Sequence, residues 1–171
     1  MFSISQEKEI KVIMKAAGGI VFRRDPNERI SILLIKRSPD DHFPNFFEFP
    51  RGKCDKKGEN IIQCLKREVK EETDLDITPV GLIDTFEYLA DEGERKTICF
   101  NFLVSMNDKN QEIKLSKEHS EYRWVSTMGE IENLCFPDQT RAISKVLNSD
   151  YKYFPENTFT KNNSVDESCC E

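Results

Sequence analysis

Residues 52–77 constrain the fold more than any other part of the chain, because they predict an amphipathic helix at about 59–73 with acids beside its buried face. At about 100° per residue, four apolar side chains form one stripe that must face a core: Ile61, Ile62, Leu65 and Val69. Glu72 takes the next position on this stripe, and Glu68 and Glu71 lie beside it. The helix must therefore pack on a hydrophobic core and bring carboxylates to its edge.

This carboxylate cluster indicates a cation site. A solvated face with i,i+4 Glu/Lys pairs is the alternative, but Lys66 and Lys70 are spaced i,i+4 from each other and do not pair off the acids. The helix dipole also disfavours anions at a C-terminus. Mg²⁺ takes carboxylate and phosphate oxygens together, so it would offset the repulsion among Glu68, Glu71 and Glu72.

The same stretch resembles the Nudix box. Glu59 is followed, after seven residues, by the sequence REVKEE (67–72), which matches that pattern position by position, and the wider resemblance covers 15–148. Two positions depart from it. The loop between Gly52 and Glu59 holds six residues instead of five, and Asp74 replaces a glycine. Asp tolerates left-handed backbone geometry better than most residues, so the turn at Asp74 is expected to survive.

The resemblance implies an α/β fold, a Nudix-type α/β/α sandwich with a mixed β-sheet, and an enzyme that hydrolyses a nucleoside diphosphate linked to another group. It implies Mg²⁺, or Mn²⁺ as a substitute, held by Glu68, Glu71 and Glu72. Arg67 is expected to hold Glu68 or Glu71 through a bidentate ion pair. Glu59 is expected to brace the loop.

Nudix enzymes recruit a further glutamate from outside the box. Glu118 lies six residues before Trp124, the spacing of that residue in MutT-like members, and Glu121 is the competing candidate. We therefore assign catalysis to Glu71, Glu68, Arg67 and Glu118, and the metal to Glu68, Glu71, Glu72 and Glu118. His119 is interpreted as a loop histidine rather than a base.

The substrate is predicted from the loop before the box. Arg51 and Lys53, in the sequence EFPRGK, resemble the basic loop of diadenosine tetraphosphate hydrolases, and residues 112–124 resemble the same enzymes. We predict a dinucleoside polyphosphate substrate, with diadenosine tetraphosphate preferred. A MutT-like (d)NTP pyrophosphohydrolase is the first alternative, mRNA decapping the next, and a non-catalytic Nudix binding module the last. Phe47 is predicted to contact substrate, and the candidates for base stacking are Phe43, Phe46, Phe47 and Tyr88.

The remaining sequence predicts one domain at 11–150, a flexible N-terminus at 1–10 and a disordered tail at 155–171. The apolar run 32–35 indicates a strand covered on both faces. Predicted elements are strands at 15–24, 31–38, 76–90 (interrupted at 79–81), 96–106 and 121–126, an ordered loop at 39–53, and a helix at 138–150 with Asp138 as its N-cap.

The net charge of −6 and the pI of about 5.2 argue against a strong nucleic-acid-binding surface, although capped RNA stays a candidate substrate. No apolar run approaches the ~20 residues of a membrane span, and no secretory signal is evident, so a cytoplasmic protein without membrane partners is expected. Six cysteines occur without a Cys-x-x-Cys pair and are expected to be reduced thiols.

Overall fold

The computed structural model describes residues 10–148, apart from Glu28, His42 and Glu132. The predicted tail at 155–171, with Cys169 and Cys170, and all but the last residue of the predicted flexible N-terminus lie outside this part. No helix within it has the length and apolar character needed to cross a membrane.

Seven strands and two α-helices make up the described chain. They are β1 (Val12–Arg24), β2 (Ile30–Arg37), β3 (Phe47–Glu48), β4 (Arg51–Lys53), α1 (Ile61–Thr73), β5 (Ile77–Ala90), β6 (Arg95–Met106), β7 (His119–Val125) and α2 (Pro137–Leu147). Short 3₁₀ turns follow β5 and β7, at Asp91–Gly93 and Met128–Ile131.

The strands form one mixed sheet with the order β3-β2-β1-β6-β5, while β4 pairs with β1 and β7 pairs with β2. β1 and β6 are parallel, and the other pairs of named strands are antiparallel. One core cluster joins the sheet to α1 and another joins it to α2. The predicted α/β/α sandwich with a mixed sheet is confirmed.

The apolar run in β2 explains why both faces are covered. Ile32 and Leu34 pack in the cluster that contains α2, whereas Leu33 and Ile35 pack in the cluster that contains α1. All four are at most 1% exposed, as predicted for a strand buried on both faces. Each such side chain contributes about 1.5–3 kcal/mol of burial free energy.

Helix α1 begins at Ile61 rather than at the predicted residue 59, because Asn60 is its N-cap. The Asn60 side chain accepts hydrogen bonds from the main-chain amides of Ile62 and Gln63, and Gln63 closes a capping box. At the other end, Asp74 adopts the left-handed conformation with φ 60°. The expectation that Asp can make this turn in place of glycine is confirmed.

Three local predictions were wrong. Strand β5 is continuous through Pro79 and Gly81, with register shifts instead of an interruption, because an edge strand tolerates a residue that lacks an amide donor. The N-cap of α2 is Phe136, with Pro137 following it, and Asp138 lies in the first turn instead of at the cap. The segment before the box forms two short strands instead of a loop alone, because it pairs with β2 and β1.

The expectation that all cysteines are reduced was also wrong. Cys54, in the loop after β4, and Cys64, in α1, form a disulfide. The other described cysteines, Cys99 and Cys135, are free and buried. Cys64 is one turn after the N-cap of α1, and its side chain faces back toward the loop, which no spacing rule for cysteine pairs would indicate.

Candidate active site

Arg67 lies at the centre of a network of carboxylates. Its Nε and Nη2 donate to Glu59 at 3.0 and 2.8 Å. Its Nη1 donates to Glu68 at 2.7 Å and to Glu71 at 3.1 Å. Ion pairs with Glu68 and Glu71 are therefore present, but the bidentate partner is Glu59, because each helix carboxylate brings one oxygen to the same nitrogen. Glu59 also accepts a hydrogen bond from the Lys56 amide at 3.0 Å, which fixes the loop to the helix.

Glu68 packs directly against the main chain of Gly52. A Cβ atom at position 52 would overlap the carboxyl carbon and both carboxylate oxygens of Glu68, so only glycine leaves room for this group. Burial raises the pKa of Glu68, and the hydrogen bond from Arg67 opposes that effect. A side chain at position 52 would therefore displace the Glu68 carboxylate from this position.

Replacing Gly52 by Ala is expected to lower kcat/KM at least about tenfold, because the new methyl group would push the Glu68 carboxylate from its position. The clash involves the end of a side chain, so the melting temperature should change by only a few degrees. Gly81→Ala is the matched control, since a Cβ there meets nothing within 4 Å. Normal kinetics and normal Mg²⁺ dependence of the Gly52→Ala protein would show that the position of Glu68 does not matter.

Glu72 is the most buried acid of the helix, with 8% of its surface exposed. Its Oε2 accepts a hydrogen bond of 3.0 Å from the main-chain amide of Arg51. Burial raises the pKa of Glu72 well above its ordinary value, and the negative charges of Glu48, Glu68 and Glu118 raise it further. Four carboxylates from different parts of the chain thus converge on this position.

The structure separates the two candidates for the additional glutamate. Glu118 is exposed and close enough to Glu72 for its charge to act on that carboxyl group. The Glu121 carboxylate instead accepts a 2.7 Å hydrogen bond from Arg123 and a 3.5 Å one from Lys36. Of the two candidates, the charge of Glu118 acts on the carboxylate cluster, whereas Glu121 pairs with basic residues.

Glu48 is an acid that the sequence interpretation missed. It is 4% exposed. Its carboxylate accepts hydrogen bonds from Arg37 at 2.6 Å and Gln139 at 3.3 Å, and lies 3.5 Å from His119 Nε2. Burial alone would raise the pKa of Glu48, but the hydrogen bond from His119 and the charge of Arg37 hold it below its ordinary value. Glu48 therefore stays ionised, and its negative charge acts on the neighbouring Glu72.

His119 was expected to lie in a loop, and this expectation was wrong. It is the first residue of β7, is 7% exposed and contacts Glu48. A signal for Glu48 was present in the sequence: an acid stands between the aromatic residues Phe47 and Phe49, where a buried strand would otherwise be apolar. Its partners come from distant segments and had no such signal.

The two basic residues of the loop differ in their surroundings. Arg51 Nη1 donates to Asp138 at 3.0 Å, and its guanidinium lies 5.4 Å from the ring centroid of Phe86. Asp138 lies in the first turn of α2, after the N-cap Phe136, and its carboxylate is held beside Arg51. Lys53 is exposed, and its carbonyl accepts a hydrogen bond of 3.0 Å from Arg67. Arg51 is held inside the site, whereas the ammonium group of Lys53 is open to solvent.

The burial of Phe47 argues against its predicted contact with substrate. Phe47 is 3% exposed, and Lys36 and Arg123 lie near its ring. The neighbouring rings are more accessible: Phe43 is 65% exposed and Phe46 is 36% exposed. Both pack on Phe136, with ring centroids 5.5 and 4.8 Å apart.

Tyr88 lies on the edge strand β5. It is 40% exposed, and its ring is 6.0 Å from that of Phe86, which lies next to Arg51. Aromatic surface is therefore present on two sides of the Arg51–Asp138 pair.

The donors at this site fit a hard divalent cation, since Glu68, Glu71, Glu72 and Glu118 offer only carboxylate oxygens. Burial and the charges of the neighbouring carboxylates raise the pKa of Glu72, and a bound cation would favour its ionised form. Within the described chain, no three acidic, histidine or cysteine side chains are already arranged to hold an ion together. Glu68 and Glu71 turn toward Arg67, so they would have to rotate to coordinate an ion.

A family profile described as NUDIX domain matches residues 14–139, most of the chain. The chain belongs to the Nudix hydrolase family. Members of this family are pyrophosphohydrolases, and the carboxylate helix α1, with the loop before it, is the Nudix box of this protein. Arg67, Glu68, Glu71 and Glu72 all lie within this segment.

Relatives of this Nudix hydrolase include enzymes with two kinds of name. A mouse bis(5'-nucleosyl)-tetraphosphatase (asymmetrical) is 30% identical over 149 residues, which is 82% of this chain and 95% of the relative. An 8-oxo-dGTP diphosphatase of Proteus vulgaris is 30% identical over 95 residues, covering 56% of this chain and 78% of the relative.

Among solved structures, the Ap4A hydrolase of C. elegans in a binary complex superposes with a TM-score of 0.63 at 23% identity. The match covers 78% of this chain and 94% of that one. At this identity, the superposition shows the shared fold.

Proposed function

We propose that this Nudix hydrolase cleaves a dinucleoside polyphosphate asymmetrically, with diadenosine tetraphosphate as the preferred substrate and Mg²⁺ as the cofactor. The observation that carries the proposal is the similarity to the mouse tetraphosphatase, which extends over 95% of that enzyme. The basic loop supports it, since Arg51 and Lys53 add positive charge beside the carboxylates, and a long phosphate chain needs more positive charge than a short one.

The acids of the site would bind Mg²⁺, with Mn²⁺ as a substitute. Glu68, Glu71, Glu72 and Glu118 are the proposed ligands. The bound ion would neutralise charge that develops on the bridging phosphates. Arg67 would keep Glu68 and Glu71 near the substrate, and Glu59 would keep Arg67 in place by its bidentate pair.

The protein would also orient substrate and water. A glutamate of the box, or Glu118, would accept a hydrogen bond from the attacking water and take up its proton. Lys53 would contact outer phosphate oxygens, because its ammonium group is exposed. Arg51 would stabilise the polyphosphate chain of the substrate from inside the site. Water would then attack one phosphorus of diadenosine tetraphosphate, and the products would be ATP and AMP.

Aromatic rings near Arg51 suit the bases of such a substrate. Asp138 brings the first turn of α2 to Arg51, and Phe136, two residues earlier, forms a cluster with Phe43 and Phe46. We assign base stacking to this cluster instead of to the buried Phe47, with Tyr88 as the partner on the strand side.

A MutT-like (d)NTP pyrophosphohydrolase is the second candidate, because an 8-oxo-dGTP diphosphatase is also among the relatives. The sequence Glu48-Phe49-Pro50 before the basic loop resembles that class. This enzyme would release a nucleoside monophosphate and pyrophosphate.

The decisive experiment is a substrate panel with Mg²⁺, followed by anion-exchange chromatography of the products. The panel contains diadenosine tetraphosphate, common and oxidised (d)NTPs, ADP-ribose and capped RNA. We expect ATP and AMP from the dinucleotide, formed faster than any triphosphate is cleaved. Faster release of pyrophosphate from a triphosphate would replace this proposal with the second candidate. Arg67→Ala controls for contaminating hydrolases, since it should lose the activity.

A further inference from the structure

A polar cavity lies apart from the carboxylate site. It is bounded by the end of β1, the segment after β6 and strand β7, and its volume is about 590 Å³. Five side chains define this groove, which we call the arginine groove: Arg23, Arg24, Lys109, Tyr122 and Trp124.

The arginine groove is separated from the active site along two strands. His119, at the start of β7, contacts Glu48 of the active site, and Trp124 is five residues further on. At ~3.3 Å per residue, that is about 16 Å. In β1, Ala17 pairs with Gly52, and Arg23 is six residues further on, or about 20 Å by the same rise.

The charge of the groove is opposite to that of the protein. The net charge of the chain is −6, yet Arg23, Arg24 and Lys109 line the groove with Glu112 as the acid among its lining residues. In the described part of the chain, Arg23 and Lys109 have no acidic partner within salt-bridge distance. A concave cationic surface on an acidic protein attracts anions.

Aromatic rings add a second kind of recognition. The Arg23 guanidinium lies 4.2 Å from the ring centroid of Trp124, and the Tyr122 side chain is 44% exposed. Stacking uses the flat face of the guanidinium and leaves its N–H edge available to a phosphate. Tyr122 offers an aromatic face on which a base could stack.

The groove is built on an anchored segment. The Gln111 side-chain amide donates to the main-chain carbonyl of Asp76 at 3.0 Å. The main-chain amides of Lys114 and Ser116 donate to the main-chain carbonyls of Thr73 and Glu72 at 2.9 and 3.1 Å. The segment that carries Lys109 is therefore tied to the end of α1. Such anchoring is what a preformed ligand pocket requires.

We propose that the arginine groove binds a nucleoside phosphate without a metal ion, independently of the active site. The phosphate would contact Arg23 and Lys109, and the base would lie against Tyr122. The volume of the arginine groove is within the range of about 300–1,000 Å³ for small-molecule pockets. A neighbouring cavity of about 420 Å³ shares Arg23, Arg24 and Lys109, so the cations lie where a phosphate could be reached from both sides.

The only tryptophan of the chain, Trp124, reports directly on this groove. AMP is titrated into the full chain in EDTA while tryptophan fluorescence is followed. We expect a saturable change with AMP, whereas adenosine or inorganic phosphate alone should need at least about tenfold higher concentrations for half-saturation. The absence of a saturable change would overturn the proposal. A 5′-phosphorylated oligoribonucleotide is titrated in the same way. If it binds about tenfold more tightly than AMP, the nucleotide comes from a nucleic-acid strand. If it binds more weakly than AMP, the ligand is a free nucleotide.

Three variants test the assignment. Arg23→Ala should weaken AMP binding at least about tenfold. Arg23→Lys should weaken it less, because the positive charge remains although the planar stack on Trp124 is lost. Lys66→Ala removes an exposed charge of α1 and should leave AMP binding unchanged. Equal affinities of all three would overturn the proposal. So would a response that needs Mg²⁺ and disappears in Glu72→Gln, because it would then come from the active site. Since no turnover is measured, failure here is distinct from failure of the proposed function.

Discussion

Glu72→Gln is expected to abolish most turnover and, at the same time, to make the metal-free protein more stable. The loss of kcat/KM should be roughly 10²–10³-fold, as for other preorganised electrostatic groups. The free energy of unfolding at neutral pH should rise by at least about 1 kcal/mol, because glutamine removes a carboxyl group that burial and the charges of Glu48 and Glu68 make costly to ionise in the folded protein. Thermal unfolding in EDTA and steady-state kinetics measure the two effects.

The pH dependence follows from the raised pKa of Glu72. Below the ordinary value of 4.5 the carboxyl group is protonated in both the folded and unfolded states and contributes no difference. As the pH rises past 4.5, the unfolded chain releases this proton first, so the wild-type protein loses stability until the raised pKa is passed. The stability advantage of Glu72→Gln should therefore appear between acidic and neutral pH.

Two comparisons test this interpretation. Mg²⁺ should narrow the stability gap, because an ion that binds the folded wild-type protein stabilises it selectively. Glu71→Gln should also lose activity but not gain stability, since the Glu71 side chain is 55% exposed. A Glu72→Gln protein with normal kinetics would remove Glu72 from the metal ligands, and a lower melting temperature would mean that its charge stabilises the fold.

Reduction of the Cys54–Cys64 disulfide is expected to lower the melting temperature by roughly 6–12 °C. The bridge closes a loop with a sequence separation of 10. The chain-entropy relation assigns such a loop about 3 kcal/mol, and in a chain of this size each kcal/mol shifts the melting temperature by about 2–4 °C. Thermal unfolding with and without a dithiol reductant measures the effect.

Cys54→Ser should reproduce the shift and show no further change with reductant. Activity should fall as well, because Cys54 follows Lys53, whose carbonyl accepts a hydrogen bond from Arg67. An unchanged melting temperature after complete reduction, verified by thiol titration, would show that the bridge does not stabilise the fold.

Local patterns in the sequence were sufficient to predict several structural features. The period of Leu65 and Val69 predicted which face of α1 is buried, and Glu72 continues that face as expected. The turn at Asp74 was predicted from its tolerance of left-handed geometry. These features depend on residues within a few positions of one another, so periodicity and side-chain chemistry decide them.

Other features depended on distant pairs. Asp138 was expected to cap α2 but pairs with Arg51, and Glu48 received no role although Arg37, His119 and Gln139 surround it. Phe47 was assigned to substrate because it is aromatic and near the box, but strand pairing buries it. Each of these side chains has a partner that is far away in sequence.

The sequence by itself determined that this protein has a Nudix box on an amphipathic helix, and that its carboxylates lie at the edge of a core. Hydrophobic periodicity and residue spacing carry that information, because both act within one element. Only the tertiary structure decided which acids meet, that Cys54 bonds to Cys64, and that Arg23 stacks on Trp124. The parallel pairing of β1 with β6 brings segments from distant parts of the chain together, and such long-range packing leaves no local pattern to read.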